Sequence, residues 1–136
     1  MASLKSLLES SLQSYLVGAV GGNVYKGHDD SDKAAPCVIC AVESMEEEPL
    51  QSGNYQATCR ITVKSAAKEG EDQLNNLDED VRNALWTDTI HTDLQTTDLT
   101  VFGVAAAHRI DYGIEADMLT ASHVLVVYCC NYEFPA

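Results

Sequence analysis

The sequence predicts an α+β fold. A mixed, mainly antiparallel sheet of four to five strands packs with two main helices, in the order α-β-β-β-α-β-β. Three observations predict it. Leu4, Leu7, Leu8, Leu12, Tyr15 and Leu16 recur at three- and four-residue steps, the spacing of one helix face. Tyr55, Ala57, Cys59, Ile61 and Val63 alternate with Gln56, Thr58, Arg60, Thr62 and Lys64, the pattern of a strand with one buried and one wet face. A second amphipathic helix over 72–86 then separates this strand from a final pair of apolar strands.

Each element follows from its residues. Ser3 is a fitting N-cap for the first helix, and Gly18, Gly21 and Gly22 supply the backbone freedom that ends it. Asn23, Val24 and Tyr25 form a short strand, and the stretch 27–32 reads as an exposed loop. Residues 36–42 are apolar on both faces, so they predict a strand covered on both sides. A polar connector, with Met45, Glu46, Glu47, Glu48 and Pro49 at its start and Gln51, Ser52 and Gly53 at its end, leads into the alternating strand. These two strands form an antiparallel hairpin with a long loop.

Gly70, Glu71 and Asp72 open the second helix, with acids at the positive end of its dipole. Its apolar stripe is Leu74, Leu77, Val81, Ala84 and Leu85, so Leu77 and Val81 are expected to anchor it on the sheet. Asn75, Asn76, Glu79, Asp80 and Asn83 fall mostly on the wet side. The stretch 87–98, rich in Thr and Asp, reads as irregular. Residues 99–104 and 122–132 are the last strands, linked by 111–120. Val124, Leu125, Val126 and Val127 are apolar on both faces, which places their strand inside the sheet.

Composition narrows the function classes. The 136 residues fit one domain, 1–136, and 46% of them are hydrophobic. A chain of this length buries roughly two-thirds of its unfolded surface and needs no metal or disulfide to fold. No apolar run reaches the ~20 residues of a membrane span. Glu9 and the serines around it interrupt any signal-peptide core, so a cytosol-like compartment is expected. Acidic residues number 21 against 8 basic ones, a formal charge of −13. The basic residues form no cluster, which argues against specific DNA binding, because that affinity comes largely from Lys and Arg neutralising phosphates.

The motifs that could carry chemistry are weak. Cys37 and Cys40 have redox or zinc spacing, but they lie in a predicted strand, where residues three apart point to opposite faces. Cys129 and Cys130 are adjacent on the last strand and Cys59 has no near partner in sequence, so five buried, reduced thiols are expected. His28, His91, His108 and His123 share no ligand spacing and belong to no nucleophile or metalloprotease signature. The acidic run Asp29, Asp30, Asp32 fails as a calcium loop, since Ala35 and Ala41 stand where Gly and Glu are needed. No catalytic residue, metal or cofactor is assigned.

The layout begins with Ser3, Leu4, Lys5, Ser6, Leu7 and Leu8, and continues through Val24 and Tyr25 to Pro36, Cys37, Val38 and Ile39. Gly53, Asn54 and Tyr55 lead into Cys59, Arg60, Ile61, Thr62 and Val63, with the helix from Leu74 to Leu85 after them. Over nearly the whole chain this resembles the tail-completion and tail-terminator proteins of long-tailed bacteriophages. The resemblance implies a structural virion protein, not an enzyme. It implies a homohexameric ring that caps the tail tube, stops its growth and meets the head connector. DNA would pass its lumen without specific binding, and an acidic wall suits that passage. It implies location in the virion tail or neck, after assembly in the host cytoplasm. It carries no catalytic residue. The expected contact elements are Glu46, Glu47 and Glu48 in the acidic connector, and the 111–120 link with Asp117 inside it. Two other classes stay open: another neck or head-completion protein, and a small cytosolic enzyme whose site assembles from distant residues. A deep pocket lined by His or Cys would favour the enzyme.

Overall fold

The computed structural model describes residues 3–21, 23–27, 36–47, 54–115 and 117–130. Helix α1 (Leu4–Val20) is followed by strands β1 (Val24–Lys26), β2 (Cys37–Glu47) and β3 (Tyr55–Ala66). A 3₁₀ turn (Ala67–Glu69) leads to α2 (Glu71–Leu85) and a short α3 (Ile90–Asp93), and β4 (Thr100–Glu115) and β5 (Met118–Cys130) close the chain. The α+β class and the element order are those the sequence predicts. The strands form one five-stranded sheet in the order β1-β2-β3-β5-β4. Only β1–β2 is parallel.

Helix α1 buries Leu4, Leu8, Leu12 and Leu16, one residue per turn. The Ser3 hydroxyl accepts from the Ser6 N–H at 3.1 Å, which satisfies one of the open donors of the first turn. The helix runs through Gly18 and stops at Gly21, whose N–H still reaches the Val17 carbonyl at 2.8 Å and whose φ of 65° turns the chain out of the helix. Gly18 therefore sits inside the helix rather than ending it. A helical glycine costs about 1 kcal/mol, and the packed leucine face offsets that. Gln13 Nε2 donates to the Val24 carbonyl at 2.8 Å and ties β1 to the helix.

The same face of the sheet receives α2. Val38, Cys40 and Val42 of β2, Ala57, Cys59, Ile61 and Val63 of β3, and Ala121, Leu125, Val127 and Cys129 of β5 form the core with the helices. Strand β5 pairs with β3 on one side and β4 on the other, the interior position expected for it. On α2, Leu74, Val81, Ala84 and Leu85 are buried, while Leu77 is only partly buried against the core. The expected anchoring holds fully for Val81 and in part for Leu77. Val81→Ala should cost about 2 kcal/mol and Leu77→Ala about half of that, read by urea unfolding. Equal losses would mean that burial does not rank these two positions.

Three boundaries differ from expectation. Strand β2 runs to Glu47, so Glu46 and Glu47 are strand residues opposite Gln56 and Tyr55, not part of a connector. The link expected over 111–120 is strand: β4 reaches Glu115, β5 starts at Met118, and Asp117 lies in the turn between them. The physical reason is common to both. Ladder hydrogen bonds join backbone groups, so a long partner strand extends pairing through polar and glycine-containing stretches. Charges are also tolerated where β2 runs on as an edge, since β1 pairs only with Val38, Ile39 and Cys40. The third difference is α3, in the stretch expected to be irregular. Ile90 and Leu94 are one turn apart and both are buried. The loop expected over 27–32 and the centre of the β2–β3 connection lie outside the described residues, apart from Gly27.

Candidate functional site

The expected contact elements do not meet. Glu46 is exposed and Glu47 half-buried at the end of β2, while Glu48 lies outside the described residues. Glu47 pairs with Tyr55, at the start of β3, and Tyr55 with Cys129. Asp117 is exposed at the other end of the sheet, where its carbonyl accepts from the Ala67 N–H at 2.8 Å, just past the end of β3. Strand β3 spans this separation, about 35 Å at ~3.3 Å per residue. The two acidic elements are therefore two surfaces at opposite ends of one sheet.

None of the five cysteines is in a disulfide, and all five are buried. Cys37 and Cys40 point to opposite faces, as the strand geometry requires, and so do Cys129 and Cys130. Cys40, Cys59 and Cys129 belong to the helix-covered core, a grouping of thiols from three strands that sequence spacing did not reveal. Burial, with a smaller contribution from Glu9, pushes the Cys40 thiol from its ordinary 9.0 up to about 12. Burial, with Cys129, Cys40, Glu9 and Glu43 nearby, pushes Cys59 to about 12 as well. Cys129 rises to about 11, by burial and then by Cys130. These are the opposite of reactive thiols, which sit in electropositive, accessible places.

Two outcomes follow for thiol chemistry. At neutral pH the folded protein should react slowly with an aromatic disulfide reagent, and unfolding should release five thiols; stoichiometric zinc or fewer than five would overturn this. Alkaline pH should also destabilise the fold. Below 9.0 the thiols hold their protons whether folded or unfolded; above it the unfolded chain ionises first. Stability is then lost as pH rises from 9.0 through about 12. Cys59→Val should flatten that decline, as measured by urea midpoints across the range.

Two buried polar contacts were not foreseen from residue spacing. His123, on β5, is 1% exposed, and its Nε2 lies 2.5 Å from Oδ1 of Asp78, 5% exposed on α2. Its Nδ1 has no hydrogen-bond partner among the described residues. Both residues occupy apolar faces: Asp78 falls one turn from Leu74 on the α2 stripe, and His123 alternates with Ala121 and Leu125. A polar residue in phase with an apolar stripe was the available signal. The second contact is Glu9 on α1, also 5% exposed. Its carboxylate accepts from the Val42 N–H at 2.9 Å and from Lys5 at 3.1 Å. Val42 borders a register shift in the β2–β3 ladder, so Glu9 serves a backbone donor at that irregularity. Both contacts join a helix to the sheet, and neither lies in an open cleft.

No group of three or more His, Cys, Asp and Glu side chains converges on a metal-sized site among the described residues. No helix there is long and apolar enough to cross a membrane. The open surface holds a groove of ≈ 440 Å³ between the first turn of α2 and the β4–β5 hairpin. Leu74, Leu119, Tyr112 and Ile114 line it, with Glu71 and Asn75 from the helix. Tyr112 is 62% exposed and Ile114 76%. This surface presents apolar area and hydrogen-bonding groups, and its lining contains neither His nor Cys.

No protein-family model matches the chain, and no curated protein does. Among solved structures, the chain is similar to one described as the virion of a native gene transfer agent particle. The match has a TM-score of 0.65 at 20% identity, covering 94% of this chain and 95% of that one. At this identity the likeness is one of fold, and it extends over nearly the whole of both chains.

Proposed function

We propose that this chain is a structural protein of a phage-like virion, a tail terminator that forms a ring at the head–tail interface. The observation that carries this reading is the end-to-end fold match to a gene transfer agent virion chain. The chain also has the helix and strand order that resembles tail-terminator proteins. The ring is homohexameric in this reading. It caps the tail tube, meets head connector or neck proteins on its other side, and lets DNA pass.

Two physical features support it. A net charge of −13 disfavours any grip on DNA. The acidic elements at opposite ends of the sheet suit a subunit that meets different partner proteins at its two ends. A closed ring needs heterologous interfaces, in which one face of a subunit meets a different face of the next.

The test is electron microscopy of particles produced without this protein. The expected result is tails of uncontrolled length, detached from filled heads. Tails of normal length already joined to filled heads would rule the reading out. Normal-length tails lying free beside filled heads would instead assign the chain to head completion, the second reading that a virion neighbour accommodates. Reversing Glu46 and Glu47 to Lys should impair assembly or docking while leaving the circular dichroism spectrum and unfolding midpoint close to wild type. Unimpaired assembly would remove the β2 end from the contact surface.

A further inference from the structure

We propose that the groove between α2 and the β4–β5 hairpin is a docking site for an extended, basic, apolar-anchored segment of a different protein. The particle reading enters only as the source of such a segment; the chemistry of the groove stands without it.

Apolar exposure identifies the surface. Tyr112 and Ile114 are the two most exposed large hydrophobic side chains among the described residues, and they lie two apart on β4, on one face. Leu74 and Leu119 continue that face into the groove. Contiguous exposed apolar area of this kind marks an interaction site on a soluble protein.

The groove is built on paired backbone. Tyr112 pairs with Ala121, Ile114 with Leu119, and Ala66 of β3 with Met118. The hydrogen bond from Ala67 to Asp117 pins the hairpin turn against the start of the 3₁₀ turn.

An extended occupant follows from topology. Among the described residues β4 is an edge of the sheet, and no further strand there faces its outer side. A segment laid along it would pair through main-chain groups and drop every second side chain onto the Tyr112 and Ile114 face.

The sign of the partner follows from charge. Glu71 lines the groove, and Asp72 and Asp117 are exposed on its two supporting elements. The N-terminus of α2 contributes roughly half a positive charge, which offsets only part of these carboxylates. Lys68, exposed on the 3₁₀ turn, is one cation against three acids. A second copy of this chain supplies the wrong charge. Its total is −13, and four of its eight cations are engaged internally: Lys5 with Glu9 at 3.1 Å, Lys26 with Ser10 at 2.7 Å, Arg60 with Glu43 at 2.5 Å and Arg82 over Trp86 at 5.8 Å. A basic segment from another protein satisfies both the apolar floor and the acidic rim.

The experiment titrates the full chain with a synthetic peptide alternating Leu with Lys, followed by calorimetry and amide NMR. A peptide with Glu in place of Lys is the control. The expected result is binding of the Lys peptide alone, with shifts confined to residues 71–75 and 112–120. Ile114→Asp should weaken it more than about thirtyfold, as loss of a central anchor does. Because Ile114 is exposed, this variant keeps the fold. Glu71→Gln should weaken it about threefold, and more at low salt. Equal binding of the Glu peptide, shifts elsewhere, or an unchanged affinity in Ile114→Asp would overturn the proposal. So would self-association of the free chain that Ile114→Asp abolishes in sedimentation, since a second copy would then fill the groove. Normal joined tails in the absence of this chain would end the particle reading and leave the peptide result standing.

Discussion

Leu12→Ala should destabilise the protein by about 2–5 kcal/mol, with an unchanged denaturant slope. Leu12 is fully buried at the centre of the α1 stripe, between Leu8 and Leu16. Below it lies a sheet whose inner strands are paired on both edges, and beside it lies α2. The Tyr15 hydroxyl donates to the Ala84 carbonyl at 2.6 Å and the Ser11 hydroxyl to the Leu94 carbonyl at 2.5 Å, so α1 is held on both flanks. A helix fixed in this way cannot sink to fill the space the side chain leaves. The cost then includes the cavity as well as the lost transfer energy. Urea unfolding followed by circular dichroism measures it, and a loss under about 1 kcal/mol would show that the α1 face packs loosely.

Asp78→Ala should cost about 3 kcal/mol, although it removes only a carboxylate. The reason is what it leaves behind. The Nδ1 of His123 already has no partner among the described residues, and the substitution strips Nε2 of its acceptor. A buried imidazole with both nitrogens unpaired loses its hydration and gains nothing in return. Replacing both residues together, as Asp78→Leu with His123→Leu, should recover most of the stability, because apolar groups of similar size need no partners. A double-mutant cycle separates the two cases. Additive losses would show that the pair is not coupled.

Helix α2 illustrates how far residue patterns carry and where they stop. Its stripe of Leu74, Val81, Ala84 and Leu85 was readable from spacing alone. Asp78 interrupts that stripe, and its burial depends on a histidine 45 positions further along the chain. Glu9 is the same case on α1: an acid in phase with leucines, buried because a backbone donor at an irregular point of β2 faces it. Neither partner is local, so no window of sequence contains both. The proposed contact surfaces were legible only in part. Acidity pointed to Glu46, Glu47, Glu48 and Asp117; Glu48 lies outside the described residues, and the ladder places Asp117 at the opposite end of the sheet from Glu46 and Glu47. The apolar groove was hidden because Tyr112 and Ile114 fall in a stretch whose Asp, Gly and Glu residues read as a link.

The sequence by itself determined the fold class, the faces of the helices and of β3, the N-cap at Ser3 and the separation of the two close cysteine pairs. Those properties follow from periods of 3.6 and 2, which are set within a few residues of chain. Only the tertiary structure decided that β5 lies between β3 and β4, how far β2 and β4 extend, and which polar residues are buried. Those outcomes depend on backbone pairing and on partners far apart in sequence. A strand ends where its neighbour's hydrogen bonds end, and a buried charge survives only where a distant group meets it.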